Sequence, residues 1–387
     1  MSSSAPIPVS ASDTASDQTP EAAAPQAGQR AELSRMLVDV LALPAGQMNE
    51  NERAFVGDIL IELLDFLEEA HKVEIAERLA GVLAPPPYLL RRLLQESISV
   101  AGPLINAFKD IPDALLITAA QVSADHRAVI LRRTRMSEGL AEVLLDSEET
   151  KTCVAVLARD DIYLPEGRID TLVNRTMHDV SLRGPLLHRR ELQPRHGFTM
   201  FWWLDSQLRQ QVITRFAIDR TVVQNALKPL YTAVFPDPDP DLVVKRVLTL
   251  CDRRHRPRGK NGEAVSPEVV ERMLAAVRAN PTPDLCAAVG LLAGVSADTA
   301  TRAILDKGGE PFAIMCKSIG VSRKAFAEIL NKALILRKAN ASGPVFDAED
   351  HERLVGAFDM VARDYSRAVL RYWDWRRDSY TNLAVPE

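Results

Sequence analysis

The chain has 387 residues, of which 47% are hydrophobic, 26% charged and only 5% aromatic, with a formal net charge of -5. That length allows two or three domains or one extended array, with a core built mostly of Leu, Val, Ile and Ala. The acidity argues against a general nucleic-acid binder. The four scattered cysteines (Cys153, Cys251, Cys286, Cys316), none in a CxxC pair, read as reduced thiols of a cytosolic protein.

Residues 1–30 are Ser, Ala, Pro, Thr, Gln and acidic residues with almost nothing to bury, and read as a disordered tail. No basic start is followed by an apolar run, so no secretory signal is expected. The most apolar stretch, Ile59 to Leu67, is interrupted by Glu62 and Asp65 and is too short to span a membrane. From Ala31 the pattern turns helical. Ala31–Leu43 and a second helix from Asn49–Asn51 to about His71 form an N-terminal hairpin, whose wide apolar faces suit docking on later helices or pairing as a homodimer.

Short helices follow at Lys72–Leu83, Tyr88–Ser97, Val100–Phe108, Pro112–Ala120, Ala124–Thr134, Glu138–Leu145, Glu148–Ala158 and Pro165–Thr176, with Asp146 and Ser147 as a cap for Glu148-Glu149. The apolar quartets at 101–104, 128–131 and 154–157 recur at steps of roughly 26 to 27 residues. Two helices of that size cannot close a core alone, so stacking must bury their faces jointly. Residues 181–197 read as a break.

The stretch His196–Arg220 places Trp202 beside Trp203 and then runs on as an amphipathic helix, with Phe201, Leu204, Leu208, Val212 and Phe216 on one face. A 3.6-residue period cannot put both indoles on that face, so one neighbour or one partner must meet them on a second side. The helical region continues to Ala233 and is followed by a stiff Pro/Asp connector, Phe235–Asp241. Leu242–Leu250 is a helix that leads into a basic loop, 253–260. Beyond it, helices at Ser266–Arg278, Pro283–Ala293 and Phe312–Ile319 precede two Gly-Val-Ser corners, Gly294 to Ser296 and Gly320 to Ser322, 26 residues apart. Glycine suits a left-handed helix end and serine caps the helix after it. A last helix runs from Asp347 to about Tyr372.

The organisation expected is a tail at 1–30, a hairpin plus repeat array at 31–180, a Trp-containing region with its connector at 181–241, and a helical repeat lobe at 242–387. The fold class is all-α, an α-solenoid-like right-handed array of short helical hairpins with essentially no sheet.

No GxGxxG, GxxxxGK[ST], HExxH or GxSxG motif occurs, and the seven histidines show no metal-ligand spacing. His188 and His196 lie among arginines, which oppose a metal. No catalytic residue, metal or cofactor is therefore expected. The basic clusters could meet an acidic partner: Arg253, Arg254, Arg256, Arg258 and Lys260 stand against Asp252 alone, and Arg183, Arg189, Arg190 and Arg195 against Glu191. The candidate partner-binding residues are Trp202, Trp203, Arg189, Arg190, Arg195, Arg253, Arg254, Arg256, Arg258 and Lys260. Pro311–Leu330 reads as helix, glycine turn, helix. It satisfies part of a DNA-binding helix-turn-helix pattern, although Phe326 and Glu328 leave few side chains to read bases.

Arg189-Arg190-Glu191-Leu192 through the MFWW run to Arg220, the helical repeats before it and the segment Gly308 to Phe326 together resemble a bacterial family of HEAT-like helical repeat proteins catalogued as a domain of unknown function. The resemblance covers roughly residues 50–340. It implies an all-helical cytosolic protein and carries over no catalytic residue or cofactor. The leading expectation is a non-enzymatic protein-interaction adaptor or regulatory scaffold; the second is a DNA-binding regulator using 311–330 with the basic loop.

Overall fold

The structure, a computed structural model, describes residues 23–44, 47–216, 263–337 and 344–375. Among them are twenty α-helices and no β-strand. Most of the tail, the expected helical continuation beyond Phe216, the expected Pro/Asp connector, Cys251 and the whole basic cluster with Arg253, Arg254, Arg256, Arg258 and Lys260 lie outside the described residues. The chain divides into two compact units, one up to Ile162 and one from Tyr163 onwards.

The first unit contains α1 (Ala23–Leu41), α2 (Glu50–Leu64), α3 (Glu69–Leu79), α4 (Pro87–Leu94), α5 (Ile98–Ala107), α6 (Asp113–Val122), α7 (Ala124–Leu131), α8 (Glu138–Leu145) and α9 (Thr150–Leu157). Helices this short are marginal alone and owe their stability to one packed face. The pairs Leu89/Leu90 with Leu93/Leu94 in α4, and Leu140/Ala141 with Leu144/Leu145 in α8, are fully buried at steps of three and four. Local caps set the starts. Asn49 and Glu52 form a capping box on α2, and the Ser123 and Ser137 hydroxyls accept the His126 and Leu140 N–H groups. The odd-numbered helices pack on one another in sequence, α1 on α3, α3 on α5, α5 on α7 and α7 on α9. The even-numbered ones do likewise from α2 to α8, which makes two rows.

An arginine just past one helix braces the end of an earlier helix in the same row. Past α7, Arg133 donates to the Ile105 and Phe108 carbonyls at 2.6 and 2.8 Å. Past α9, Arg159 donates to the Leu131 and Arg133 carbonyls at 3.0 and 2.9 Å. A cation there meets the unpaired carbonyls and the negative end of the helix dipole together. Arg159 also donates to both oxygens of Asp161, and Oδ2 accepts the Met136 N–H as well at 3.1 Å.

The second unit contains α10 (Glu166–Arg175), α11 (Arg183–His188), α12 (Pro194–Met200), α13 (Ser206–Phe216), α14 (Pro267–Ala279), α15 (Pro283–Ala293), α16 (Ala297–Leu305), α17 (Glu310–Ile319), α18 (Arg323–Leu336), α19 (Ala348–Met360) and α20 (Arg363–Trp375). The same brace returns, with Arg215 donating to the Leu187 and Arg189 carbonyls and Glu191 accepting the Leu164 N–H. α17 is the centre: every residue except Lys317 is buried, and it packs on α15, α16, α19 and α20. The two Gly-Val-Ser corners share one geometry. Gly294 and Gly320 have φ of 71° and 98°, Val295 and Val321 reach back to the Gly290 and Cys316 carbonyls, and Ser296 and Ser322 cap the helices that follow.

Several expected boundaries differ. α1 begins at Ala23, so the end of the supposed tail is helical. The second expected helix stops at Asp65, which caps it, and α3 starts afresh at Glu69. Ser147 turns back to the Leu144 carbonyl instead of capping α9. Residues 181–197 are no break, since they hold the end of a 3₁₀ turn (Val180–Leu182), α11 and the start of α12. The expected long helix at 198–220 is cut at 201–205, because Asp205 takes the Leu208 N–H on its side chain at 2.8 Å and starts α13. The last helix divides at Val361, which is extended and 1% exposed. Among the described residues no single helix is long and apolar enough to cross a membrane.

Candidate functional site

The two stretches that stand out in the sequence, His196–Phe216 and Gly308–Phe326, meet in the second unit around one buried side chain. Arg209, on α13, is 4% exposed. Its Nε donates to the Phe201 carbonyl at 2.8 Å, Nη2 to Asp306 at 2.8 Å, and Nη1 to both Asp306 and Glu310 at 2.6 and 2.8 Å. Arg353 of α19 closes the other side, bonding the second Glu310 oxygen, the Gly308 carbonyl and Asp350. Asp306 also accepts the Gly308 and Gly309 N–H groups. Burial opposes charge on Arg209, yet the bonds and attraction of Asp306 and then Glu310 outweigh it, and the guanidinium pKa rises.

The glycines make room for this cluster. A Cβ at Gly308 would stand 2.3 Å from a Glu310 oxygen and 2.4 Å from an Arg209 nitrogen, and Gly309 has φ of 83°. The stretch Asp306-Lys307-Gly308-Gly309-Glu310 is thus a turn shaped to hold a guanidinium.

Beside it lies an aromatic cluster. Trp373 packs on Trp202 and Phe201 with ring centroids 4.6 and 5.4 Å apart, and its Nε1 donates to the Phe198 carbonyl. Tyr372 bonds the Arg195 carbonyl and the Thr199 hydroxyl. Arg302 lies 4.2 Å over the Trp202 ring. Trp203 donates to the Thr176 hydroxyl at 3.0 Å. Asp374 accepts from the Ser296 N–H and hydroxyl and from the Thr299 hydroxyl. Trp202 and Trp203 therefore both belong to the interior framework, each partly exposed.

The basic candidates near the expected break are also engaged. Arg189 is 4% exposed and pairs with Glu191 at 2.5 Å. Arg195 bonds Glu166 and Asp170. Arg190 projects to solvent, 4.0 Å from Glu191. Sequence reasoning passed over Arg209, Asp306, Glu310 and Arg353. The available signal was a pair of acids flanking two adjacent glycines at the start of a helix whose first turns, Pro311 to Cys316, are apolar.

His196 is buried at 2% exposure, with Nδ1 accepting the Gln193 N–H and Nε2 facing Asp170 at 3.1 Å. Burial first, then the Arg195 charge, lower its pKa from 6.5 to about 4, so the contact with Asp170 is a hydrogen bond from a neutral ring. Between pH 6.5 and about 4 the unfolded chain binds a proton that the folded chain refuses. Stability from this residue is complete above pH 6.5 and falls as pH drops through that window, by about 3 kcal/mol in all. Urea midpoints measured across that range should lose this part of their slope in His196→Asn, which keeps an acceptor for Gln193 and cannot titrate. An unchanged slope would show that the ring is not the titrating group.

Among the described residues no group of three or more His, Cys, Asp or Glu side chains gathers that could hold a metal ion. Cys153, Cys286 and Cys316 are buried, and burial pushes the Cys316 thiol well up. The groups gathered here hold one another, and the arrangement is a latch between helices. No curated protein and no solved structure matches the chain. The profile of one family matches residues 100–371, which include both stretches and end within the last helix, just before Tyr372 and Trp373. The chain belongs to that family, described as an uncharacterised protein conserved in bacteria (DUF2336).

Proposed function

We propose that this chain is a non-enzymatic protein-interaction scaffold of the bacterial cytosol, built as a HEAT-like solenoid of short helical hairpins, and that the outer face of α1 pairs it with a second copy. One observation carries the reading. α1 buries Ala31, Ser34, Val38 and Leu41, whereas Leu33, Met36 and Val40, with Leu43 just past its end, are exposed at 45, 55, 36 and 40%. At 100° per residue these sets lie on opposite sides of the helix. A soluble helix needs one apolar face to dock on its own unit, and α1 has two. The second set is spaced 3, 4, 3, the seam of a two-helix coiled coil, and such a stripe is its own complement across a two-fold axis. The row arrangement and the recurrent arginine braces support the repeat reading, since each unit leans on its neighbours.

Sedimentation across a concentration series tests it. Wild type should pass from monomer to dimer, and Met36→Glu/Val40→Glu should stay monomeric with an unchanged helix signal. A wild type that remains monomeric throughout contradicts the pairing. In the DNA-binding alternative, Arg323 is held by Asp359 at 2.7 Å and α17 is buried. A low-salt DNA complex abolished by Arg323→Ala/Lys324→Ala would favour that alternative instead.

A further inference from the structure

α2 repeats the feature that marks α1. Val56, Gly57, Leu60 and Leu64 are buried, yet Phe55 is 66% exposed and Phe66, in the turn that ends the helix, 60%. At 100° per residue Phe55 and Ile59 lie about 160° from Gly57. A Cβ at Gly57 would stand 2.9 Å from Pro86, just ahead of α4. The Gly57 side of α2 therefore meets the next hairpin, and the Phe55 side is turned away from it.

The open faces of α1 and α2 are neighbours. Arg30 of α1 lies 4.7 Å over the Phe66 ring, and Arg53 of α2 donates to the Leu41 carbonyl at 3.0 Å. The two helices thus run antiparallel with their ends matched, Phe66 toward the start of the α1 stripe and Phe55 toward its end. Leu37, half-buried, falls about 20° from Arg30 around α1 and so lies on the side toward α2.

Leu33, Met36, Val40, Leu43, Phe55 and Phe66 together leave on the order of 600 Å² of apolar side chain open. A standard stable interface takes roughly 800 Å² from each partner, so the α1 stripe, with about half of the open surface, falls well short, while the whole hairpin comes near. Within the first unit α1 packs on α3 and α2 on α4, which covers the inner faces of the hairpin. Its outer face is apolar where a terminal hairpin is ordinarily polar. A second copy brings an identical open face, and a two-fold axis lets the two cover each other.

We propose that two copies join through this entire face, α1 and α2 of one against α1 and α2 of the other, as a four-helix bundle. The proposal rests on the pairing through α1 and widens it, with Phe55 and Phe66 as aromatic anchors near the two ends of the contact. Glu62 is exposed on the same side and brings a negative charge from each copy, a cost that the apolar side chains must outweigh.

Sedimentation of the full chain across a concentration series, with two further double variants, is the test. Wild type should dimerise. Phe55→Ala/Phe66→Ala should raise the dimer dissociation constant by about tenfold or more, and Phe55→Glu/Phe66→Glu should leave a monomer. Both should keep the helix signal, because the two rings are mostly exposed in a single copy. A dimer that is lost in Met36→Glu/Val40→Glu but keeps its wild-type strength in both phenylalanine variants overturns the proposal and leaves the α1 seam standing. A wild type that stays monomeric throughout overturns both.

Discussion

Arg209→Met is expected to destabilise the second unit by about 3–5 kcal/mol, the usual consequence of removing one partner from a buried ion pair and leaving the others uncompensated. The substitution keeps an unbranched side chain of similar reach, so lost packing is small. What remains is Asp306 and Glu310, 9% and 3% exposed at their side chains, with Arg353 to answer Glu310 and only the Gly308 and Gly309 N–H groups to answer Asp306. Arg209→Lys should also be costly, because an ammonium cannot serve the Phe201 carbonyl and both oxygens of Asp306 at once. Urea unfolding followed by far-ultraviolet dichroism measures both. A loss under about 1 kcal/mol for Arg209→Met would place the guanidinium in solvent and not between the carboxylates.

Trp373→Ala should cost a comparable amount, about 3–5 kcal/mol, as a large buried aromatic cut back to a methyl. Trp373 is 2% exposed, packs on Phe201 and Trp202, and ties α20 to the Phe198 carbonyl. Trp373→Phe keeps a ring in the cluster and loses that hydrogen bond, so it should fall well short of the alanine variant. The Trp202 indole loses its stacking partner in Trp373→Ala, and tryptophan fluorescence in the folded baseline should shift to the red. An alanine variant with wild-type midpoint and emission would mean that α20 does not dock through this residue.

Both effects fall on residues whose importance was unevenly legible in the sequence. The short helices between Ile98 and Arg175 could be read to within three residues at each end, because proline and serine punctuate them and leucine pairs mark one face. The Gly-Val-Ser corners were equally legible, since a left-handed helix end and a side-chain cap are local demands. The interruption at 201–205 was not: Phe-Trp-Trp-Leu suits a helix, and what ends it is Asp205 capping the next one.

The arginines misled for a related reason. Charge on a single sequence looks like solvated surface, yet Arg189 and Arg195 are spent on Glu191, Glu166 and Asp170. The recurring signal was an arginine two residues before an acid, Arg159 with Asp161 and Arg189 with Glu191, in each case with the acid also taking a backbone N–H about two dozen residues earlier.

Arg209, Asp306 and Glu310 thus act as a latch between α13 and the turn before α17. A double-mutant cycle on Arg209→Met and Asp306→Asn, by urea unfolding, tests that most directly. The latch predicts strong non-additivity, a coupling of about 2 kcal/mol or more, because each single variant strands the partner of the other. Two single effects that simply add, to within about 0.5 kcal/mol, would contradict it.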